Sequence, residues 1–253
     1  MVTKPRFKDP LTTSKNDLDY VSRVEEYFKA SQGTVSEKLE NFPKYSSRQS
    51  LTRFLDRYEM FKQILNVQGS IIECGVLLGG GLMSFAHFSS ILEPVNLQRK
   101  IIGIDTFSGF PNVSARDTKG KSQFAKKGGY NANSYEDLKK CIELYDSNRF
   151  INHIPKMELV KGDATKTIPK YIKDNPHLVI SLLYLDFDLY KPTKVALENF
   201  VPRMPKGAII GFDEINVKAW PGETEAVLET FGISKLRIKR SSFSSVSCYA
   251  VLE

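Results

Sequence analysis

The sequence predicts an α/β fold built on a mostly parallel sheet, and three features point to it. Five short apolar runs alternate with segments of helical period, the pattern of repeated βαβ units. The fourth run, residues 178–185, is continuously apolar, as a strand covered on both faces must be. Two further apolar runs close the chain with only a serine-rich turn between them, so they should pair antiparallel.

In chain order, residues 1–47 read as a polar, irregular extension with one short amphipathic stretch at 21–28. Between 48 and 65 the apolar residues Leu51, Phe54, Leu55, Tyr58, Phe61, Ile64 and Leu65 recur at helical spacing, which predicts a helix packed by one face. Ser70–Cys74 is the first strand, followed by a glycine cluster and an apolar helix over 82–92. Ile101–Asp105 is the second strand. Residues 106–150 start rich in glycine and lysine, then turn helical from Ser134, where Ser134 and Asp137 match an N-cap pair. A third strand at 157–160 leads through Gly162, Asp163 and Ala164 into a short helix ending near 172. The strand at 178–185 is followed by a helix from Pro192, a residue suited to a first turn. The fifth strand, 208–212, precedes a helix near 223–231, and strands at 235–240 and 246–252 end the chain. There are no internal repeats and no linker, so one domain over 48–253 with an N-terminal helical appendage is expected.

Composition narrows the function classes. The 253 residues are 41% hydrophobic and 26% charged, enough for one sizeable core. No run approaches the roughly 18 apolar residues of a membrane span, and no apolar block follows the basic residues at the N-terminus. A cytoplasmic protein is expected. Cys74, Cys141 and Cys248 are far apart, with neither disulfide-framework nor zinc-site spacing. The net charge of +7 is scattered; its densest groups are Lys119, Lys121, Lys126 and Lys127, and Lys235, Arg237, Lys239 and Arg240. Neither group is interleaved with aromatics, so a solvated surface or the steering of an anionic small substrate is expected, not nucleic-acid binding.

The motifs carry chemistry at the strand ends. Glu73-Cys74-Gly75 is followed by Gly79-Gly80-Gly81, and glycines after a first strand admit close approach of a ligand. The spacing departs from G-x-G-x-x-G and matches the E-x-G-x-x-x-G-G form of S-adenosylmethionine binders. Asp105, with Thr106 and Phe107 behind it, can accept from ribose hydroxyls or serve as a plain cap. Gly162-Asp163-Ala164 can meet an adenine ring, or Asp163 can simply cap its helix. Asp186 and Asp188 follow the fourth strand, and Asp213 and Glu214 the fifth. Four acids meeting at one sheet edge repel unless a cation compensates, and hard oxygens without nearby His or Cys favour Mg²⁺ or Mn²⁺. The alternative is that two of them are helix caps and no metal binds. His87 and His177 read as structural, while His153 is a candidate base.

Taken together, Glu-Cys-Gly-Val with its trailing glycines, Asp-Thr-Phe-Ser-Gly-Phe-Pro at 105–111, Leu-Asp-Phe-Asp-Leu-Tyr at 185–190, Pro-Arg-Met-Pro-Lys-Gly at 202–207, Phe-Asp-Glu at 212–214 and Trp-Pro-Gly-Glu-Thr at 220–224 resemble the macrocin O-methyltransferase family. The resemblance implies a Rossmann-like class I methyltransferase fold, with a seven-stranded, mostly parallel sheet and one antiparallel strand. It implies Mg²⁺-dependent transfer to a sugar hydroxyl, on a nucleotide-activated deoxysugar or a glycoside, in a homo-oligomer. By the same resemblance Asp186, Asp213 and Glu214 are the metal acids and Asp188 the general base, ahead of His153. Glu73, Gly75, Asp105 and Asp163 match cofactor contacts, and Cys74, Gly79, Gly80, Thr106, Phe107, Gly162, Ala164 and Asp186 complete the expected cradle. Glu214 stands where near relatives often carry Asp, and residues 106–150 lack the lid His of some members. Residues 106–150 are expected to form a lid whose polar, lysine-rich part, 119–129, is mobile and meets phosphate. The rivals are transfer to a catechol or other small diol, which would want an apolar lid, and a non-catalytic cofactor-binding assembly protein.

Overall fold

The computed structural model describes residues 6–253. Its centre is a seven-stranded sheet ordered β3-β2-β1-β4-β5-β7-β6. The strands are β1 Ser70–Cys74, β2 Ile101–Asp105, β3 Met157–Lys161, β4 Ile180–Leu185, β5 Ile209–Phe212, β6 Ile238–Arg240 and β7 Cys248–Val251. Strands β1 to β5 pair in parallel, and β7 alone runs against its neighbours, between β5 and β6. The order reverses between β1 and β4, where an open α/β sheet leaves a crevice for ligands.

Nine α-helices are present among the described residues: α1 Lys15–Ala30, α2 Val35–Glu40, α3 Arg48–Gln63, α4 Gly80–Leu92, α5 Ala115–Thr118, α6 Tyr135–Ser147, α7 Ala164–Asp174, α8 Tyr190–Phe200 and α9 Pro221–Thr230. One core layer gathers α7, α8 and α9 on one face of the sheet, including Ile168, Leu197, Phe200 and Val227. The other gathers α3, α4 and α6 on the opposite face, including Met60, Phe61, Leu82, Phe85 and Leu138. Ile71 and Leu182 serve one layer while Ile72 and Leu183 serve the other, the alternation of a strand covered on both sides.

Capping boxes at Ser14 and Thr34 start α1 and α2 in the N-terminal extension. Three expectations are corrected. Helix α3 buries the stripe Asp56, Arg57, Met60 and Phe61, leaving Phe54 and Leu55 on its exposed rim. The Ser134 hydroxyl does not cap α6; it donates to the Leu77 carbonyl and so ties that helix to the glycine loop. Residues 178–179 precede β4, and 235 belongs to a 3₁₀ turn.

At the amino edge, Arg99 staples three connections. It is 3% exposed and donates to the carbonyls of Ile64, Val67 and Gly69, at 3.0, 3.1 and 3.0 Å, and to the Ser181 hydroxyl, with Glu93 at 2.7 Å as its counter-ion. Removing one partner of a buried pair strands the rest. Arg99→Ala should therefore lower stability by about 3 kcal/mol in urea denaturation, and an unchanged midpoint would contradict the staple.

Candidate functional site

The carboxyl ends of β1, β2, β4 and β5 leave the sheet side by side because ladder bonds continue past the strands. Gly75 N donates to Ile104 O at 2.9 Å, Asp186 N to Cys74 O at 2.8 Å, and Asp213 N to Leu185 O at 3.1 Å. At Gly75, φ is +91° and an added Cβ would fall 1.9 Å from the Asp186 carbonyl oxygen. Only glycine fits there. Left-handed Leu77, Phe107 and Asp188 follow β1, β2 and β4, at φ 50°, 56° and 60°. Backbone strain of this kind gathers where loops are shaped for a ligand.

In the glycine loop, Gly79 is the left-handed N-cap of α4, Gly80 faces open space, and Gly81 presses on Glu73 and Arg57, with 1.8 Å between its would-be Cβ and Glu73 Oε1. Glu73 is buried against Arg57 at 3.5 Å, and burial, opposed by Arg57, lifts its carboxyl to about 7. Cys74 and Ala164 are core residues. Asp105 accepts from Val76 N at 2.7 Å and Leu77 N at 2.9 Å through Oδ2, and from Phe107 N at 2.7 Å through Oδ1. It thus shapes the glycine loop. Thr106 closes its own turn onto Gly109 O at 2.7 Å, and Phe107 lies 5.1 Å from the Tyr135 ring. Gly162 N donates to Asp105 O at 2.9 Å, and Asp163 caps α7 through Oδ1, leaving Oδ2 for other partners.

One oxygen each of Asp186, Asp188 and Glu214 lies within 4.8 Å of the others. Burial, then the neighbouring carboxylates, raises all three acids above their ordinary range, Glu214 to about 12. This differs from the expected trio of Asp186, Asp213 and Glu214. Asp213 is drawn aside, its Oδ1 accepting from the Tyr184 hydroxyl at 2.7 Å and from Ser247 at 3.1 Å. Left-handed Asp188 completes the close cluster. Three hard oxygen donors, with Asp186 31% exposed on one side, fit Mg²⁺ or Mn²⁺.

His153 does not join them. It lies in the loop leading to Met157, the amino end of β3, and is exposed. Neighbouring Lys156 O accepts from Ile101 N at the start of β2, so His153 sits at the opposite sheet edge from the acids. The segment expected to form a lid also carries an aromatic inner face. Residues 110–130 fold back on themselves, with Phe110 N donating to Gly129 O at 3.0 Å. Phe110, Phe124 and Tyr130 turn inward onto Leu189 and Trp220, the residues that trail the two acidic loops. Of its lysines, Lys119 pairs with Glu225 at 3.3 Å, and Lys121, Lys126 and Lys127 are exposed.

Several functional neighbours escaped sequence reasoning. Arg57 reaches both Glu73 and Asp186, the latter at 3.7 Å, and stacks 4.4 Å from the Tyr184 ring. Its signal was a charge three and four positions before Met60 and Phe61, on one helix face. Buried Glu223 accepts Glu214 N at 2.8 Å and holds that loop, and Asp117 accepts Tyr190 N at 2.7 Å, docking α5 on α8. No spacing revealed either.

Comparison with known proteins fits this geometry. Residues 45–232 match the family model described as macrocin O-methyltransferase (TylF). The calicheamicin methyltransferase CalS11 superimposes with a TM-score of 0.90 at 32% identity, over 94% of this chain and 93% of that one. A second structure, described as apo CalS11, a TDP-rhamnose 3′-O-methyltransferase, gives 0.81 at 31% identity over 94% and 95%. A tetracenomycin-C rhamnosyl 4′-O-methyltransferase of Streptomyces olivaceus is 25% identical over 175 residues, 66% of this chain and 61% of its own. The match thus spans about six-tenths of that curated relative's length.

The glycine loop separates folding from binding. Gly81→Ala should lower the melting temperature, because Glu73 and Arg57 must shift. Gly80→Ala should melt like the parent yet bind S-adenosylhomocysteine about tenfold more weakly, a loss near 1.4 kcal/mol, by calorimetry. Equal affinity would remove Gly80 from the cradle.

Proposed function

The chain belongs to the macrocin O-methyltransferase family, and on that premise we propose that it moves the methyl group of S-adenosylmethionine to a sugar hydroxyl in a cation-dependent reaction. The observation that carries this reading is the carboxylate trio beside a strained glycine loop at the carboxyl edge of β1 and β4. The glycine loop and Asp105 would hold the ribose and methionine end, and Asp163 Oδ2 would be free to accept from the adenine. Asp186, Asp188 and Glu214 would hold the cation. A divalent cation bound there would supply a Lewis acid that eases loss of a proton from a neighbouring hydroxyl. Asp188, at the edge of that cluster, is the base we assign to take that proton. Transfer of the methyl needs a collinear hydroxyl, and the walls of Tyr130 and Trp220 orient the acceptor and exclude water.

A nucleotide-activated deoxysugar or a glycoside is the acceptor class favoured by the relatives, which act on TDP-rhamnose and on a rhamnosyl tetracenomycin. Exposed Lys121, Lys126 and Lys127 at the lid tip suit the phosphates of the former. The aromatic inner face of the lid favours a second reading, transfer to a catechol-like diol. No described helix is long and apolar enough to cross a membrane. Self-association, as the resemblance implies, is proposed through the exposed apolar residues Tyr20, Tyr27, Val35, Leu39 and Phe42 of the N-terminal helices. Light scattering should then report at least a dimer, and Val35→Glu/Leu39→Glu should shift it toward monomer.

Transfer of labelled methyl across TDP-deoxysugars, rhamnosides and catechols, with Mg²⁺ or with chelator, tests the assignment; turnover of catechols alone would sink the sugar reading. Asp188→Asn should lose about 10²-fold or more in kcat while binding S-adenosylhomocysteine within about twofold of the parent. The trio's raised proton affinity has a direction: protons leave as the cation enters, so Mg²⁺ affinity falls as pH falls. Calorimetry in buffers of different ionisation enthalpy should detect that release, and its absence would contradict the trio.

A further inference from the structure

Residues 6–12 are fastened to the loop that roofs the acids. Asp9 is the fixed point, only 3% exposed. Its Oδ2 accepts from the buried Ser122 hydroxyl, and its Oδ1 accepts Leu11 N at 3.0 Å. On either side, Arg6 donates to Asn131 O at 2.7 Å, Gln123 donates to Lys8 O at 3.3 Å, and the Phe7 ring lies 6.0 Å from Tyr130. Both limbs of the loop, at 122–123 and at 130–131, are therefore held, while its tip at 126–128 stays exposed.

The held residues lead to the acids. Tyr130 is left-handed at φ 53°, stacks on Phe124 at 4.4 Å and lies 5.8 Å from Trp220. Tyr130 packs in one cluster with Leu189, the residue after Asp188, and burial, then the charges of Asp188 and Glu214, keeps its phenol above the ordinary range. The exposed bonds of Arg6 and Gln123 contribute little on their own. The Asp9–Ser122 bond is buried, and losing one partner leaves the other unsatisfied.

We propose that Asp9 is a positioning residue for the acceptor site: through Ser122 it sets residues 122–131 so that Tyr130 completes the wall opposite Asp188 and Glu214. The clasp stands on its own contacts; the word acceptor rests on the function proposed above. Limited trypsin digestion of the full chain, read by mass spectrometry at Lys126 and Lys127, tests the clasp without any acceptor. Asp9→Ala and Ser122→Ala should be cut there about tenfold faster, the effect of one lost buried hydrogen bond. Asp9→Asn should be cut at the parent rate, because the amide can accept Leu11 N and donate to Ser122. S-adenosylhomocysteine affinity should stay within about twofold throughout. With TDP-rhamnose as probe acceptor, KM should rise more than kcat falls in Asp9→Ala. Parent-like cleavage in both alanine variants overturns the proposal, as does faster cleavage accompanied by lost S-adenosylhomocysteine affinity. Should Asp9→Ala not fold, Ser122→Ala decides alone. A parent enzyme inert toward TDP-rhamnose counts against that acceptor, and the digestion still decides the clasp.

Discussion

A single guanidinium buried under the glycine loop is the constraint around which the site is arranged. Arg57 lies between Glu73 and Asp186 and over the face of Tyr184. A carboxylate as enclosed as Glu73 would be costly without that partner. The same cation brings β1, β4 and α3 to one point, and through Asp186 it touches the edge of the acidic trio. Tyr184 extends the arrangement by one bond to Asp213, which holds one oxygen of that acid outside the trio. Gly81 follows from it too, since any side chain there would collide with the pair. Helix α3, a plain amphipathic segment by its pattern, is thus the support on which the chemistry rests.

Much of this was legible in the sequence. Every strand was visible, because buried parallel strands are short, apolar and punctuated by glycine or an acid, and the antiparallel strand followed from a short serine turn. The strand-end motifs were legible for the same reason: an acid after an apolar run has no place in a core. The trio's membership was not. Whether Asp188 or Asp213 faces Glu214 depends on a left-handed turn at one and on hydroxyls from Tyr184 and Ser247 at the other, both tertiary facts. His153 looked available because sequence distance says nothing about which sheet edge a loop occupies. Composition showed the lysines of the 106–150 segment but not its inner face, where three aromatics pack on Leu189 and Trp220.

The lid and the acidic loops also illustrate how order is maintained without regular structure. Leu189 and Trp220 each stand just beyond an acid-bearing loop, and the aromatic cluster packs on both. Burial of those rings ties the position of the roof to the positions of the acids, while Asp117 and Glu223 satisfy the amides that the turns leave over. Apolar packing sets the shape, and buried carboxylates fix the backbone beneath it.

The contact at Gly75 has a consequence for change over time. With no room for even a methyl group between the first loop and the Asp186 carbonyl, the half of the site that would bind the methyl donor and the half that bears the acids form one inseparable piece. Variation in one must be answered in the other. The roof is joined to that piece by aromatic surface and by the Asp117 and Ser134 side chains, so its other positions can vary while those contacts stay. New acceptors are therefore most readily acquired by exchange at the roof's inner positions within 110–130, together with the N-terminal segment that grips them, while Asp117 is kept.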